Sequence, residues 1–272
     1  MRRLRYFREG FDLVPKLYRI FYEKRVFTLE DAIQHFPDIQ QARNAVHYMK
    51  EHGYLKQIKA GLYSVIPFEF QNKEDYSPDL ILVGSHLVNP YFFSHITALH
   101  IYGFVDLPMV KIVVTSPERF RRFTFQDKTF QNVHTKHFFG FKQHVYKESL
   151  DVWVSDQERT FLDCVNRFDL VPGGMVRVYR TMYSFGFLNY LLLMDYLDKI
   201  GSKTLMVKAG FTLEYLRNRW EVPSDIIDKL REAAQGATIY YLDRNIAKGT
   251  GELNKTWNLV IPKTFYELIR PV

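Results

Sequence analysis

At 272 residues with 47% hydrophobic side chains, the chain has room for one large or two ordinary domains, and its one cysteine, Cys164, excludes a disulfide framework and any zinc site built on several thiolates. No run approaches the roughly 18 apolar residues of a membrane span, and the basic start MRRLRYFREG lacks the apolar stretch of a secretory signal, so a cytoplasmic location without membrane contact is the expectation. The net charge of +7 is uneven: residues 1–66 hold 12 Lys and Arg against 7 Asp and Glu, a +5 excess that leaves +2 for the remainder. A basic leading segment beside a near-neutral body is what a polyanion-binding module joined to another domain produces, although such an excess is also found on ordinary solvated surfaces.

In chain order, a first helix is expected from Asp12, with Leu13, Leu17, Ile20 and Phe21 at helical spacing and Pro15 in the first turn, where it costs least. Thr28 with Asp31 three residues on predicts a second, short helix over LEDAIQHF, stopped by Pro37. Asp38 caps a third, with Gln41 in the capping-box place, Ala42, Val46 and Met49 as the inner stripe and Gly53 as the left-handed stop. The joint Pro37-Asp38 implies a steep angle between helices two and three, the geometry of a helix-turn-helix. YLKQI and LYSVI then read as a hairpin around Lys59-Ala60-Gly61, which makes the whole a winged helix.

On the third helix the inward stripe leaves Gln40, Gln41, Arg43, Asn44, His47 and Lys50 on the opposite arc. Arginine offers a bidentate fork to guanine O6 and N7, and Asn or Gln pairs with adenine N6 and N7. Lys56 and Lys59 on the hairpin are expected to meet phosphates, which adds affinity and salt sensitivity without sequence preference. The competing reading is a plain solvated face or a protein-docking module. Double-stranded DNA is the preferred partner.

Residues 68–79 read as a linker between a 1–67 winged-helix domain and an 80–272 mixed α/β domain, so the fold class expected is α+β. YFFSHITALHIYGF after Asn89-Pro90 is helical in pattern, VKIVVTS is a buried strand and NVHTKHF its neighbour. Ser155 with Glu158 reads as a capping box before a helix through Phe161, Leu162 and Val165. Helices follow over FLNYLLLMDYLDKI, KTLMVKAGFTLEYLRNRW and SDIIDKLREAA, with late strands at ATIYYLD and TWNLVIP.

The sequence contains no GxxxxGK[ST], HExxH or GxSxG, and Gly249-Thr250-Gly251 lacks the spacing of a dinucleotide loop, so no cofactor is expected. His95 and His100 stand roughly 140° apart on a helix, and His134 and His137 on opposite sides of a strand, so neither pair suits a metal. An (Asp/Glu)-x-Lys step, used by magnesium nucleases to set a carboxylate beside a lysine, is absent. The enzyme alternative, a divergent metal-dependent nuclease or nucleotide-modifying protein, would draw on Asp106, Asp151, Asp156 or Glu158. A stand-alone transcription factor with a sensory second domain is a further alternative.

YFFSHITALHIYGF (91–104), VSDQERTFLDCV (154–165), Gly173-Gly174 and VKAGFTLEYL (207–216), together with GYLKQIKAGLYSVIP, resemble the AbiEi family of antitoxins and transcriptional regulators of type IV toxin–antitoxin systems. The resemblance implies a non-enzymatic repressor that binds inverted repeats in its own promoter. It also implies a second domain, likened to the restriction-endonuclease fold, that counteracts a nucleotidyltransferase-like toxin of an abortive phage-infection system. Whether that toxin is contacted directly is left open. The family's motif carries over to Ser155, Glu158, Arg159, Thr160 and Asp163, and its GF-x-LE segment to Gly210, Phe211, Leu213 and Glu214; SDQ stands where the family often has Ser-Pro. For Arg159 and Asp163, four apart on a helix, an ordinary ion pair competes with a binding role.

Overall fold

The computed structural model describes residues 17–70, 73–147 and 150–270. Two compact units emerge: one of the described residues up to Asn89 together with Arg122–Phe130, the other of Pro90–Arg121 with the described residues from Gln131 onward. Both combine helices and sheets, a mixed helix-and-sheet architecture compatible with the α+β class.

In the first unit, α1 (17–24) buries Leu17 and Phe21; Asp12, Leu13 and Pro15, expected to begin this helix, lie outside the described residues. Arg25, at φ 62°, reverses the chain into β1 (Val26–Thr28), a strand the sequence pattern did not suggest. The capping box at α2 (Leu29–Ile33) is complete: the Asp31 amide donates to Thr28 Oγ1 at 3.1 Å and the Thr28 amide to Asp31 Oδ2 at 2.7 Å. The helix ends sooner than expected, so residues 34–38 form the joint to α3 (Ile39–Glu51), whose Asp38 cap accepts the Gln41 amide at 2.8 Å. Gly53 follows at φ 69°, a conformation that costs glycine little. β2 (Leu55–Lys59) and β3 (Leu62–Val65) form the hairpin. Because Lys59 pairs with Leu62, the loop is only Ala60-Gly61, and the extra residue is absorbed as an irregularity between Gln57 and Lys59. β1 pairs with β3, giving the order β1-β3-β2 over a core of Leu17, Phe21, Phe27, Ala32, Val46, Met49, Leu55 and Val65. Each large side chain so buried contributes about 1.5–3 kcal/mol.

The stretch expected as a linker folds back on this hairpin. Tyr76 is buried with its hydroxyl 3.1 Å from Ser64 Oγ, and Gln126 donates to the Tyr76 carbonyl at 3.0 Å. α4 (Leu80–Ser85), capped by Asp79, also belongs to the first unit, so the division falls at Asn89/Pro90 rather than at 80.

The main sheet runs β6-β7-β5-β4-β9-β8, built from β4 (Phe92–Phe93), β5 (Lys111–Ser116), β6 (Phe123–Phe125), β7 (Lys128–His134), β8 (Phe141–Tyr146) and β9 (Leu150–Ser155); the hairpin Arg122–Phe130 groups with the first unit. β4 is antiparallel to β5 and parallel to β9. Its pairing takes Phe92 and Phe93 out of the helix expected over 91–104, so α5 (His95–Ile101) starts only after Ser94. α6 (Gln157–Asn166) follows β9, then α7 (Gly174–Phe185), α8 (Tyr190–Ile200), α9 (Lys203–Tyr215), α10 (Arg217–Trp220) and α11 (Ser224–Glu232). A small sheet of β10 (Tyr240–Tyr241), β11 (Gly251–Asn254) and β12 (Leu259–Pro262), in the order β10-β12-β11, precedes α12 (Phe265–Leu268). Phe161, Leu162, Tyr179, Leu213, Trp220 and Trp257 share one core.

Candidate nucleic-acid interface

α3 owes its orientation to its apolar stripe: Ala42, Ala45, Val46 and Met49 are buried, which turns Gln40, Arg43, Asn44 and His47 into solvent. Gln40 Nε2 donates to Asn44 Oδ1 at 2.9 Å across one helical turn, so the two amides present a joined polar edge with a free acceptor on Gln40 and free donor capacity on Asn44. Lys50 is half-buried, 3.5 Å from Glu51. Gln41 is also half-buried and sits at the margin of this face.

Arg43, His47 and Lys50 line one groove of about 280 Å³, closed on the other side by Gln57 and Tyr63 of the hairpin and floored by Leu29 and Val46. Gln57 and Tyr63 were not among the expected contacts; the period-2 alternation of the hairpin was the signal that could have found them. A concave groove with two permanent cations, an imidazole, an amide and a phenol is suited to a phosphate or a base edge.

The two hairpin lysines differ. Lys59 holds its amine 5.5 Å from the centre of the Phe123 ring and stays half-exposed. Lys56, expected to meet phosphates, turns inward instead and donates to the carbonyls of Glu74 at 2.8 Å and Tyr76 at 2.7 Å. The cause is the folded-back 73–79 segment, whose carbonyls need a donor once Tyr76 is buried.

In the second unit the candidate motif residues are engaged with their own unit, Ser155, Glu158 and Arg159 buried and Asp163 and Glu214 half-buried. The helix cap is Asp156, not Ser155: Asp156 Oδ1 accepts the Arg159 amide at 2.8 Å, while Ser155 Oγ meets Thr160 Oγ1 at 2.7 Å. Glu158, freed from capping, accepts the Asn189 amide at 2.7 Å and ties α6 to the start of α8. Arg159 is 4% exposed; its guanidinium donates to Asp163 at 2.9 Å and to the carbonyls of His137 at 2.9 Å and Phe139 at 3.0 Å, and it lies over the Phe92 and Phe139 rings. Asp163 keeps one buried oxygen, Oδ2, without a hydrogen-bond partner. This is far from the exposed i,i+4 pair that the spacing alone suggests. Glu214 accepts from Arg231 at 2.8 Å and from the Trp257 indole at 2.6 Å. The same Trp257 ring covers Gly210, where any Cβ would collide with it.

Asp106 and Asp151 are exposed, and Asp156 Oδ2 accepts the Tyr196 hydroxyl at 2.7 Å. Among the described residues no group of three His, Cys, Asp or Glu is arranged to hold a metal ion. His95 is buried, with Nδ1 2.8 Å from Ser94 Oγ, and burial brings its imidazole down to about 4. His134 is exposed beside Arg119, while His137 lies in the loop after β7. Among the described residues no helix is long and apolar enough to cross a membrane.

No family model and no curated protein matches the chain. Among solved structures it is similar to the crystal structure of the RV2827C protein from Mycobacterium tuberculosis, with a TM-score of 0.63 at 14% identity over 94% of this chain and 92% of that one. The likeness is one of fold.

Proposed function

We propose that this chain is a cytoplasmic, non-enzymatic antitoxin of the AbiEi kind. Its first unit acts as a winged helix that binds inverted repeats in its own promoter, and its second unit counteracts a nucleotidyltransferase-like toxin. The observation that carries the DNA-binding half is the outward face of α3, where Gln40, Arg43, Asn44 and His47 stand exposed beside the β2–β3 hairpin. The first three helices with the β1-β3-β2 sheet support the winged-helix reading. The antitoxin half rests on the motif resemblance across residues 91–216.

In this reading Arg43 addresses guanine or a phosphate, the Gln40–Asn44 pair addresses adenine, and Lys59 supplies a backbone contact. The test is a salt-dependent gel shift on the promoter together with growth rescue from the co-expressed toxin. Arg43→Ala combined with Lys59→Ala should weaken promoter binding by roughly 10–100-fold and lower the slope of log affinity against log salt by about 2. Toxin neutralisation should be retained. Promoter affinity equal to wild type would overturn the assignment.

A further inference from the structure

We propose that the second unit carries a binding site for a phosphate-bearing small molecule, gathered around Asp169 and Lys208 and separate from the interface on α3. Four cationic side chains converge there from four parts of the sequence. Arg167 pairs with Asp169 through two hydrogen bonds, Nε to Oδ1 at 2.8 Å and Nη2 to Oδ2 at 2.7 Å. Arg244 stands 3.9 Å from the same carboxylate, and Lys111 donates to the Asp169 carbonyl at 2.9 Å. Lys208, from the VKAGFTLEYL motif, is only 7% exposed, and its amine has one long hydrogen bond, 3.5 Å to the Asn166 carbonyl, with the Phe168 ring at 5.6 Å.

A buried ammonium costs several kcal/mol unless it is paired and its donors are satisfied, and one hydrogen bond at the limit of the range does not achieve that. The nearby carboxylates are Asp169, already shared by two arginines, and Asp243. Four cations against two anions leave a local excess of positive charge. Hydrogen bonding from Arg167, with Arg244 adding, holds Asp169 down at about 2, and Lys208 is lowered by burial, against the pull of Asp243. Phosphate, with several acceptor oxygens, can accept hydrogen bonds from an ammonium and a guanidinium at once, which favours it over chloride.

A pocket adjoins this cluster through Asp243, whose charge acts on Lys208. Asp243, next to Arg244 in sequence, lines a pocket of about 280 Å³ with Met175, Asn245, Ile246, Thr250 and Pro262. Apolar walls with a few polar groups suit a nucleoside more than inorganic phosphate alone.

Thermal unfolding of the full chain in inorganic phosphate, ADP or chloride at matched ionic strength tests the site. Phosphate or ADP in hundredfold excess over its Kd should raise the midpoint by roughly 5–10 °C above the chloride control. At one shared molar concentration below saturation, a larger rise with ADP than with phosphate assigns the pocket to a nucleotide, and equal rises assign the site to a phosphate group alone. Lys208→Met should abolish the rise without lowering the midpoint in chloride, since it removes an unsatisfied buried charge. Should Lys208→Met fail to fold, the idea is overturned, because the lysine would then be structural. Arg244→Gln, at a side chain 67% exposed, should remove at least half of the rise. No phosphate-dependent rise in the wild type, or the full rise in either variant, would also overturn the site.

Discussion

Arg43 and Arg159 both lie in the first two turns of capped helices, and both stand out in the sequence as candidate binding residues. Arg43 stands in solvent at the lip of a groove, while Arg159 is buried and makes three guanidinium hydrogen bonds within its own unit. The first unit therefore turns Gln40, Arg43, Asn44 and His47 of α3 outward, while Lys56 is held by its own unit. The second unit spends its motif residues on holding α6, α8, α9 and the loop before β8 together. A motif can stand out because of what it builds, and Glu158, Arg159, Gly210 and Glu214 are of that kind.

The sharpest way to break this contrast is to remove Arg159. Arg159→Ala leaves Asp163 buried without its partner and two carbonyls without donors, and should lower unfolding free energy by about 3–5 kcal/mol in urea titration. Arg159→Lys should rescue little, because one ammonium cannot reproduce the fork. A loss below about 1 kcal/mol would mean that the residue is a ligand contact after all. Gly210→Ala, which drives a methyl group into Trp257, should cost about 3 kcal/mol by the same titration.

The buried imidazole of His95 adds a pH dependence to the second unit alone. Its folded value of about 4 lies below the ordinary 6.5, so the unfolded state binds the extra proton first. Its contribution is fully present above about pH 6.5 and is lost as pH falls toward about 4, reaching a loss on the order of 3 kcal/mol. His95→Gln should flatten that part of the stability profile.

Smaller effects sharpen the first unit. Lys56→Met should cost about 1 kcal/mol by removing two hydrogen bonds, with the Tyr76 carbonyl keeping its Gln126 donor, and should leave the salt dependence of DNA binding unchanged. Arg43→Ala should change stability by less than about 0.5 kcal/mol while weakening promoter binding, the mirror image of Arg159.

What the sequence made legible was local. Thr28 and Asp38 announce their helices because caps act within three residues, and VKIVVTS reads as a buried strand because its run is unbroken. Three-residue β1 carries too little pattern of its own and exists through its pairing with β3. Phe92 and Phe93 look helical beside their neighbours, yet pairing with β5 and β9 outweighs that local preference. β8 and β9 escaped notice because the outer face of their hairpin exposes Val145 and Trp153, which blurs the alternation. At the candidate interface, residue direction on α3 followed from helical period alone, whereas the inward turn of Lys56 depends on a segment about twenty residues away that no periodicity connects to it.

Side-chain hydroxyl-radical footprinting of the full chain with and without its promoter duplex tests the division of roles most directly. Protection should concentrate at His47 and Tyr63 around the α3 groove, with Phe139, Phe161 and Trp257 unchanged. Protection confined to the second unit, with His47 and Tyr63 as reactive as in the free protein, would contradict it.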